Sequence, residues 1–263
     1  MITEATLRSQ VLQPPYIYRW AVLISATAIL AALVLRAFQP DPAAADKAPA
    51  AQAKPAPAEQ VRPVASDVIR RLDAGDQVVA LTFDDGPSPE HTPQVLDVLA
   101  EHHAVATFCM VGTQVRRYPD LVRRVVDAGM RLCNHTVHHD EHLATRPAAA
   151  IEKDLTDASA ALRAAAGDDV PIGYFRAPGG NWTEPLEKTA ARHGMRPLGW
   201  SVDPRDWSRP GVRKIVTAVE KNVRPGSVVL MHDGGGRRDQ TVAALRTLLP
   251  WLTDQGYRFT YPA

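Results

Sequence analysis

The chain has 263 residues, a net charge of +1 and 45% hydrophobic residues, which suits one domain of ordinary size with appendages. No basic run stands out, which argues against a nucleic-acid binder, since that needs a basic face; no protein partner is implied. Two cysteines are too few for a disulfide framework or a cysteine zinc site.

Positions 20–38 read WAVLISATAILAALVLRAF, broken only by Arg36. A bilayer-spanning helix needs about 20 such residues, whereas a signal-peptide core has about 7–15. The expectation is a short cytoplasmic N-terminus over 1–19 and a transmembrane signal-anchor over 20–38. A secreted product after cleavage near Ala43–Ala45 is the alternative. Residues 39–66 are rich in Ala and Pro and cannot bury a core. They read as an extended linker that holds the 67–263 domain outside the cytoplasm.

From Asp76 onward strands and helices alternate. Predicted strands are Val78–Phe83, Ala106–Val111, Met130–Asn134, Tyr174–Arg176, Pro197–Val202, Val228–Met231 and Tyr257–Tyr261. Helical spacing is found at Thr92–His102, Asp120–Ala128, Ala148–Ala166, Thr183–His193, Gly211–Asn222 and Gln240–Gln255. This order implies a helix-covered parallel sheet of about seven strands, either open or closed into a barrel. An active site then belongs at the C-terminal ends of the strands.

Chemically capable residues follow those ends. Asp84-Asp85-Gly86-Pro87 closes the first run; two adjacent carboxylates could divide into a metal ligand and a free base, or the segment is a turn. His135-Thr136-Val137-His138-His139 follows the third. The spacing places His135 and His139 on one face of a helical turn, where with Asp85 they make a three-ligand site with an open position. A surface loop is the alternative; His138 points elsewhere and His142 is a weaker candidate. Arg176-Ala177-Pro178-Gly179-Gly180 ends the fourth strand. Its arginine either holds a carboxylate or caps a turn, and Gly179 brings backbone close to a substrate. Asp203-Pro204-Arg205-Asp206-Trp207 and Leu230-Met231-His232 complete the set. A carboxylate beside a histidine favours the imidazolium, as a general acid requires.

The five segments, TFDDGP, HTVHH, RAPGG, DPRDW and LMH in that order, resemble the motifs of the polysaccharide deacetylase family, the NodB-homology domain of carbohydrate esterase family 4. The resemblance covers roughly Gln77 to Tyr261. It implies a distorted (β/α) barrel and one divalent metal ion, zinc first, with cobalt or nickel as alternatives. Carried over by motif, Asp85, His135 and His139 are the metal ligands and Asp84 the base. Arg176 positions that base, Asp203 tunes His232, and His232 is the acid. Gly179, Trp207 and Leu230 bind substrate. The family commonly has an aromatic residue where this chain has Gly179, so an aromatic wall for the sugar is missing from that motif.

The implied activity is removal of N-acetyl groups from N-acetylglucosamine residues of a peptidoglycan or chitin-like polysaccharide. The rivals are an O-deacetylase of acetylated xylan and a non-catalytic glycan-binding module. Cys109 and Cys133 fall on consecutive predicted strands. Strand spacing of about 4.8 Å permits a disulfide, and two buried thiols are the other outcome.

Overall fold

A computed structural model describes residues 62–73 and 76–262. The expected anchor, and nearly all of the linker, lie outside these residues. No helix among the described residues is long and apolar enough to cross a membrane.

Seven strands form one sheet: β1 (Val78–Asp84), β2 (Ala106–Met110), β3 (Arg131–Asn134), β4 (Ile172–Phe175), β5 (Arg196–Pro197), β6 (Ser227–His232) and β7 (Arg258–Phe259). Their order is β5-β4-β3-β2-β1-β6, with β7 also on β1, and every pair is parallel. Parallel strands need crossovers, and seven α-helices supply them: α1 (Thr92–Glu101), α2 (Gly112–Arg117), α3 (Pro119–Asp127), α4 (Ala148–Ala166), α5 (Glu184–Arg192), α6 (Val212–Asn222) and α7 (Asp239–Asp254). The short α2 has no counterpart in the sequence reading; at six residues it is too brief for an apolar period to show. The fifth run, expected over Pro197–Val202, is a strand only at Arg196–Pro197. Its continuation meets the sheet again where Val202 bridges Val229 of β6. That contact curls the sheet into a distorted half-barrel. Ile69 bridges Leu198 and Arg71 bridges Ser227, so the segment ahead of β1 lies along the same seam. Val64, inside the stretch expected as linker, is already docked: its N–H donates to Ala191 O (3.1 Å).

Alternation along the strands sorts residues between two cores. Val79, Leu81 and Phe83 of β1, Phe108 and Met110 of β2, and Val229 and Met231 of β6 pack outward beneath the helices. The longest helix, α4, meets them with Ile151, Leu155, Leu162 and Ala165, spaced to form one apolar stripe. Ala80, Cys109, Cys133, Tyr174, Leu198 and Val228 form the inner core. Period two then places Thr82 and Asp84 on the face of Ala80, and Leu230 and His232 on the face of Val228. The inner face is therefore apolar at its base and polar at the C-terminal strand ends.

Cys109 and Cys133 are in register on β2 and β3 and joined as a disulfide, Cα–Cα 4.2 Å. It closes a loop of 24 residues, which by chain entropy contributes about 3 kcal/mol. Denatured, unreduced protein is expected to titrate no free thiol. A Cys109→Ala/Cys133→Ala variant should lose a few kcal/mol in urea unfolding. Two titratable thiols in the native protein would contradict the pairing.

Candidate active site

Asp84 and His232 end neighbouring strands as direct register partners. Between them and the β3 and β4 ends opens a cleft of about 460 Å³. Asp84, Asp85, His135, His139, Gly179, Asp203, Trp207, Leu230 and His232 all line it; so do Glu141, Trp200 and Arg238, which the sequence reading did not select. Arg176 lies underneath, with no exposed surface. Its guanidinium donates to Asp84 Oδ1 (2.6 Å), Thr82 Oγ1 (2.9 Å), Leu198 O (2.9 Å) and Gly199 O (3.0 Å). A buried cation thus has four of its five N–H donors used and one carboxylate to balance it. Burial pushes the Asp84 carboxyl up, but the charge of Arg176, then of His135 and His232, outweighs it and holds the group below the ordinary carboxylate range.

Asp85, His135 and His139 present three ligand atoms within 4.8 Å of one another. His135 Nε2 and His139 Nε2 are 3.6 and 3.4 Å from Asp85 Oδ1. That oxygen is buried and has no hydrogen-bond partner among the described residues. His135 Nδ1–H donates to Arg176 O (2.8 Å), which leaves the Nε2 lone pair free toward the same point. Burial lowers the pKa of His135 against the opposing pull of Asp84 and Asp85, so the imidazole is neutral, as a ligand must be. An orphaned carboxylate oxygen and two oriented imidazoles fit a divalent cation.

The two histidines do not converge through a helical turn, as their spacing suggested. Residues 135–140 are a loop, with left-handed backbone at Thr136 (φ 65°) and His139 (φ 57°). Such residues cost about 1–3 kcal/mol each and persist only where the surroundings impose them. Here Asn134 Oδ1 accepts from Thr136 N–H (2.9 Å), and Asn134 Nδ2 donates to Leu155 O and Ser159 Oγ of α4 (both 2.9 Å). Asp154 Oδ1 accepts from Val137 N–H (2.9 Å).

Asp85 is also left-handed (φ 71°) and is held from above by the loop after β6. A side chain at Gly234 would start 2.1 Å from Asp85 O, and one at Gly235 would start 2.3 Å from Asp85 Oδ2. Arg238, 5% exposed, clamps this loop: it donates to Gly234 O (2.7 Å), Gly235 O (2.9 Å) and Trp207 O (3.3 Å). Behind Asp85, the Asp233 carboxyl lies flat on Gly86 and accepts from Thr92 Oγ1.

The partner of His232 is Asp206 and not Asp203, which corrects the sequence expectation. His232 Nδ1–H donates to Asp206 Oδ1 (2.8 Å), while Asp206 Oδ2 accepts from His232 N–H (2.9 Å) and Thr241 Oγ1 (2.7 Å). Asp203 is exposed at the cleft wall, where its Oδ1 accepts from Arg205 N–H (2.7 Å). Both carboxylates lie in DPRDW; only the left-handed turn at Arg205 (φ 56°) decides which one faces inward. Burial opposes protonation of His232, but the Asp206 hydrogen bond and charge, helped by Asp84 and Asp85, raise its pKa to about 8. The electrostatics therefore favour an ionised Asp84 beside a protonated His232, next to three side chains whose donor set fits a cation.

A family profile described as polysaccharide deacetylase matches residues 71–198. A chitooligosaccharide deacetylase of Sinorhizobium fredii is 44% identical over 199 residues, covering 72% of this chain and 92% of that protein. A peptidoglycan-N-acetylglucosamine deacetylase of Bacillus cereus is also 44% identical, over 186 residues, 70% of this chain and 85% of that one. Among solved structures, a family 4 carbohydrate esterase from Streptomyces lividans in complex with acetate superposes with a TM-score of 0.64 at 30% identity, over 72% of this chain and all of that one. This chain belongs to the polysaccharide deacetylase family, and both of these curated relatives are named as deacetylases.

Asp206→Asn should lower the pKa of His232 and move the upper pH limit of turnover to lower pH, whereas Asp203→Asn should leave that limit in place; pH–rate profiles of the two variants check this. Gly235→Ala should weaken divalent-cation binding, read by calorimetric titration with zinc, because its methyl displaces the Asp85 carboxylate.

Proposed function

We propose that this chain removes N-acetyl groups from N-acetylglucosamine residues of an extracytoplasmic polysaccharide, peptidoglycan or chitin-like, using one divalent cation, zinc by preference. The observation that carries the reading is the Asp84–His232 pair, register partners on β1 and β6 with the first held toward the ionised and the second toward the protonated form, beside the Asp85–His135–His139 triad. Asp85, His135 and His139 would hold the cation, which when bound supplies a more acidic water and a polarised acyl oxygen. Asp84 accepts the proton of the attacking water, and Arg176 keeps that carboxylate ionised and aimed. Gly179 N–H faces the oxygen that gains charge. His232 delivers its proton to the departing sugar nitrogen, with Asp206 keeping it protonated until then. Trp207 and Leu230 hold the acetyl methyl. The products are acetate and a free amine on the glycan.

The N-acetyl target is supported by the names of the two relatives, one acting on chitooligosaccharides and the other on peptidoglycan N-acetylglucosamine. The site outside the cytoplasm is supported by the apolar 20–38 stretch and by the Cys109–Cys133 disulfide, since such bonds persist in oxidising compartments.

Acetate release with added zinc is expected from N-acetylglucosamine oligomers and not from acetylated xylan. The opposite preference would make the chain an esterase, and glycan binding without acetate would make it a binding module. Asp84→Asn should reduce release by about a hundred-fold or more while zinc still binds; His135→Ala should lose the zinc itself. With wild-type enzyme, turnover should fall as pH rises through about 8, where His232 gives up its proton.

A further inference from the structure

The loop after β6 holds Asp85, and Arg238 holds that loop. Arg238 is in turn held by His91, which stands at the far end of the segment that follows Asp85. We propose that His91 is a positioning residue for the cation triad: its imidazole fixes the Arg238 backbone, and through it the glycines that keep the Asp85 carboxylate turned to His135 and His139. The inference rests on the cation reading of that triad.

His91 is 2% exposed. It stands at the start of α1, as Arg238 does at the start of α7. A residue that opens a helix has a backbone N–H without a partner inside the helix. Arg238 N–H donates to His91 Nε2 (3.1 Å). The ring proton is then on Nδ1, which faces Ser88 Oγ (3.4 Å), and the same oxygen accepts from His91 N–H (3.3 Å). Both ring nitrogens are thereby used, one as acceptor and one as donor. Beside this link, Ser88 N–H donates to Thr92 Oγ1 (2.7 Å), and Thr92 Oγ1 donates to the Asp233 carboxylate. Two hydrogen-bonded links, His91 to Arg238 and Thr92 to Asp233, therefore tie the segment that follows Asp85 to the loop that confines it.

The coupling to Asp85 is steric. Arg238 Nε and Nη2 donate to Gly234 O (2.7 Å) and Gly235 O (2.9 Å). Those two glycines lie so close that side chains there would start 2.1 Å from Asp85 O and 2.3 Å from Asp85 Oδ2. Asp85 has left-handed backbone (φ 71°), which persists only where neighbours impose it. A loop that drifts away releases that constraint, and the carboxylate with it.

Two carboxylates also lie near the ring. Asp239 Oδ1 is 3.6 Å and Glu90 Oε1 3.8 Å from His91 Nε2, both beyond hydrogen-bond length. Both residues are exposed, and Asp239 Oδ2 accepts from Arg237 Nε (3.0 Å). The three side chains are of cation-ligand type, but His91 Nε2, the one buried ligand atom among them, already accepts from Arg238 N–H. The imidazole is thus a link between loops and not a free ligand.

Three variants separate the acceptor from the shape. His91→Phe keeps a ring without the acceptor, His91→Gln keeps an acceptor at the place of Nε2, and His91→Ala removes both. Calorimetric titration of the metal-free proteins with zinc should give a Kd roughly two- to ten-fold higher in the Phe and Ala variants, the net worth of one hydrogen bond. The Gln variant should return to near the wild-type value. Urea midpoints of the same metal-free proteins are measured alongside: a lowered midpoint with unchanged zinc Kd in the folded Phe and Ala variants means a structural role alone and overturns the proposal. Should those variants not fold, long-range nitrogen–proton correlation spectra of the wild-type ring decide. A proton on Nδ1 with Nε2 as acceptor supports the link, and a proton on Nε2 overturns it. A second zinc equivalent in the wild type that disappears in His91→Phe makes His91 a ligand and overturns it too. A wild type that binds no zinc at all overturns the cation reading of Asp85, His135 and His139 itself.

Discussion

The site depends on one buried ion pair, Arg176 with Asp84. Arg176 has no exposed surface and sits inside the curl of the sheet. An unpaired guanidinium there would be untenable, so Asp84 must be ionised and must point inward. Removing either partner of such a pair is worth about 3–5 kcal/mol because it strands the other. The same guanidinium ties β1 to the Leu198–Gly199 backbone, where the barrel seam closes, and backs the Trp200 ring. Its carbonyl oxygen orients His135. The Asp84 charge, the His135 tautomer and the place of the Trp200 ring therefore depend on one residue.

Around this pair, chemistry is separated by environment. Asp84 and His232 are register partners on adjacent strands, yet they carry opposite charge states. Asp84 leans on Arg176 and His232 on Asp206, and each partner is buried. A base and an acid can then coexist near neutral pH in one cleft. Asp85, next to Asp84 in sequence, escapes the arginine because its left-handed backbone turns its carboxylate to the histidines.

Backbone shape accounts for the rest of the geometry. Asp85, Thr136 and His139 are all left-handed, and each is braced by contacts from another element: Gly234 and Gly235 above Asp85, and α4 beneath the histidine loop. The strain is concentrated where ligand atoms must converge. Arg238 extends the same brace to the Trp207 loop, so the Asp85 carboxylate and the Trp207 side of the cleft are held by one loop clamp.

Alternating strand and helix patterns, and chemically capable residues after each strand, were legible from sequence because both are local periodicities. The motif residues accordingly line one cleft. Two assignments needed the tertiary structure. Asp203 and Asp206 stand in one pentapeptide, and the backbone turn at Arg205, not composition, selects the carboxylate that meets His232. The four-residue histidine spacing suggested a helix, but packing against α4 imposes a loop with two left-handed residues. Arg238 and Trp200 carry no sequence signal at all: an arginine or tryptophan near a glycine is ordinary. Their places follow from long-range contacts across the barrel seam, which no local pattern records. The sequence by itself determined the element order and the identity of the reactive groups; the closing of the seam decided which of them face one another.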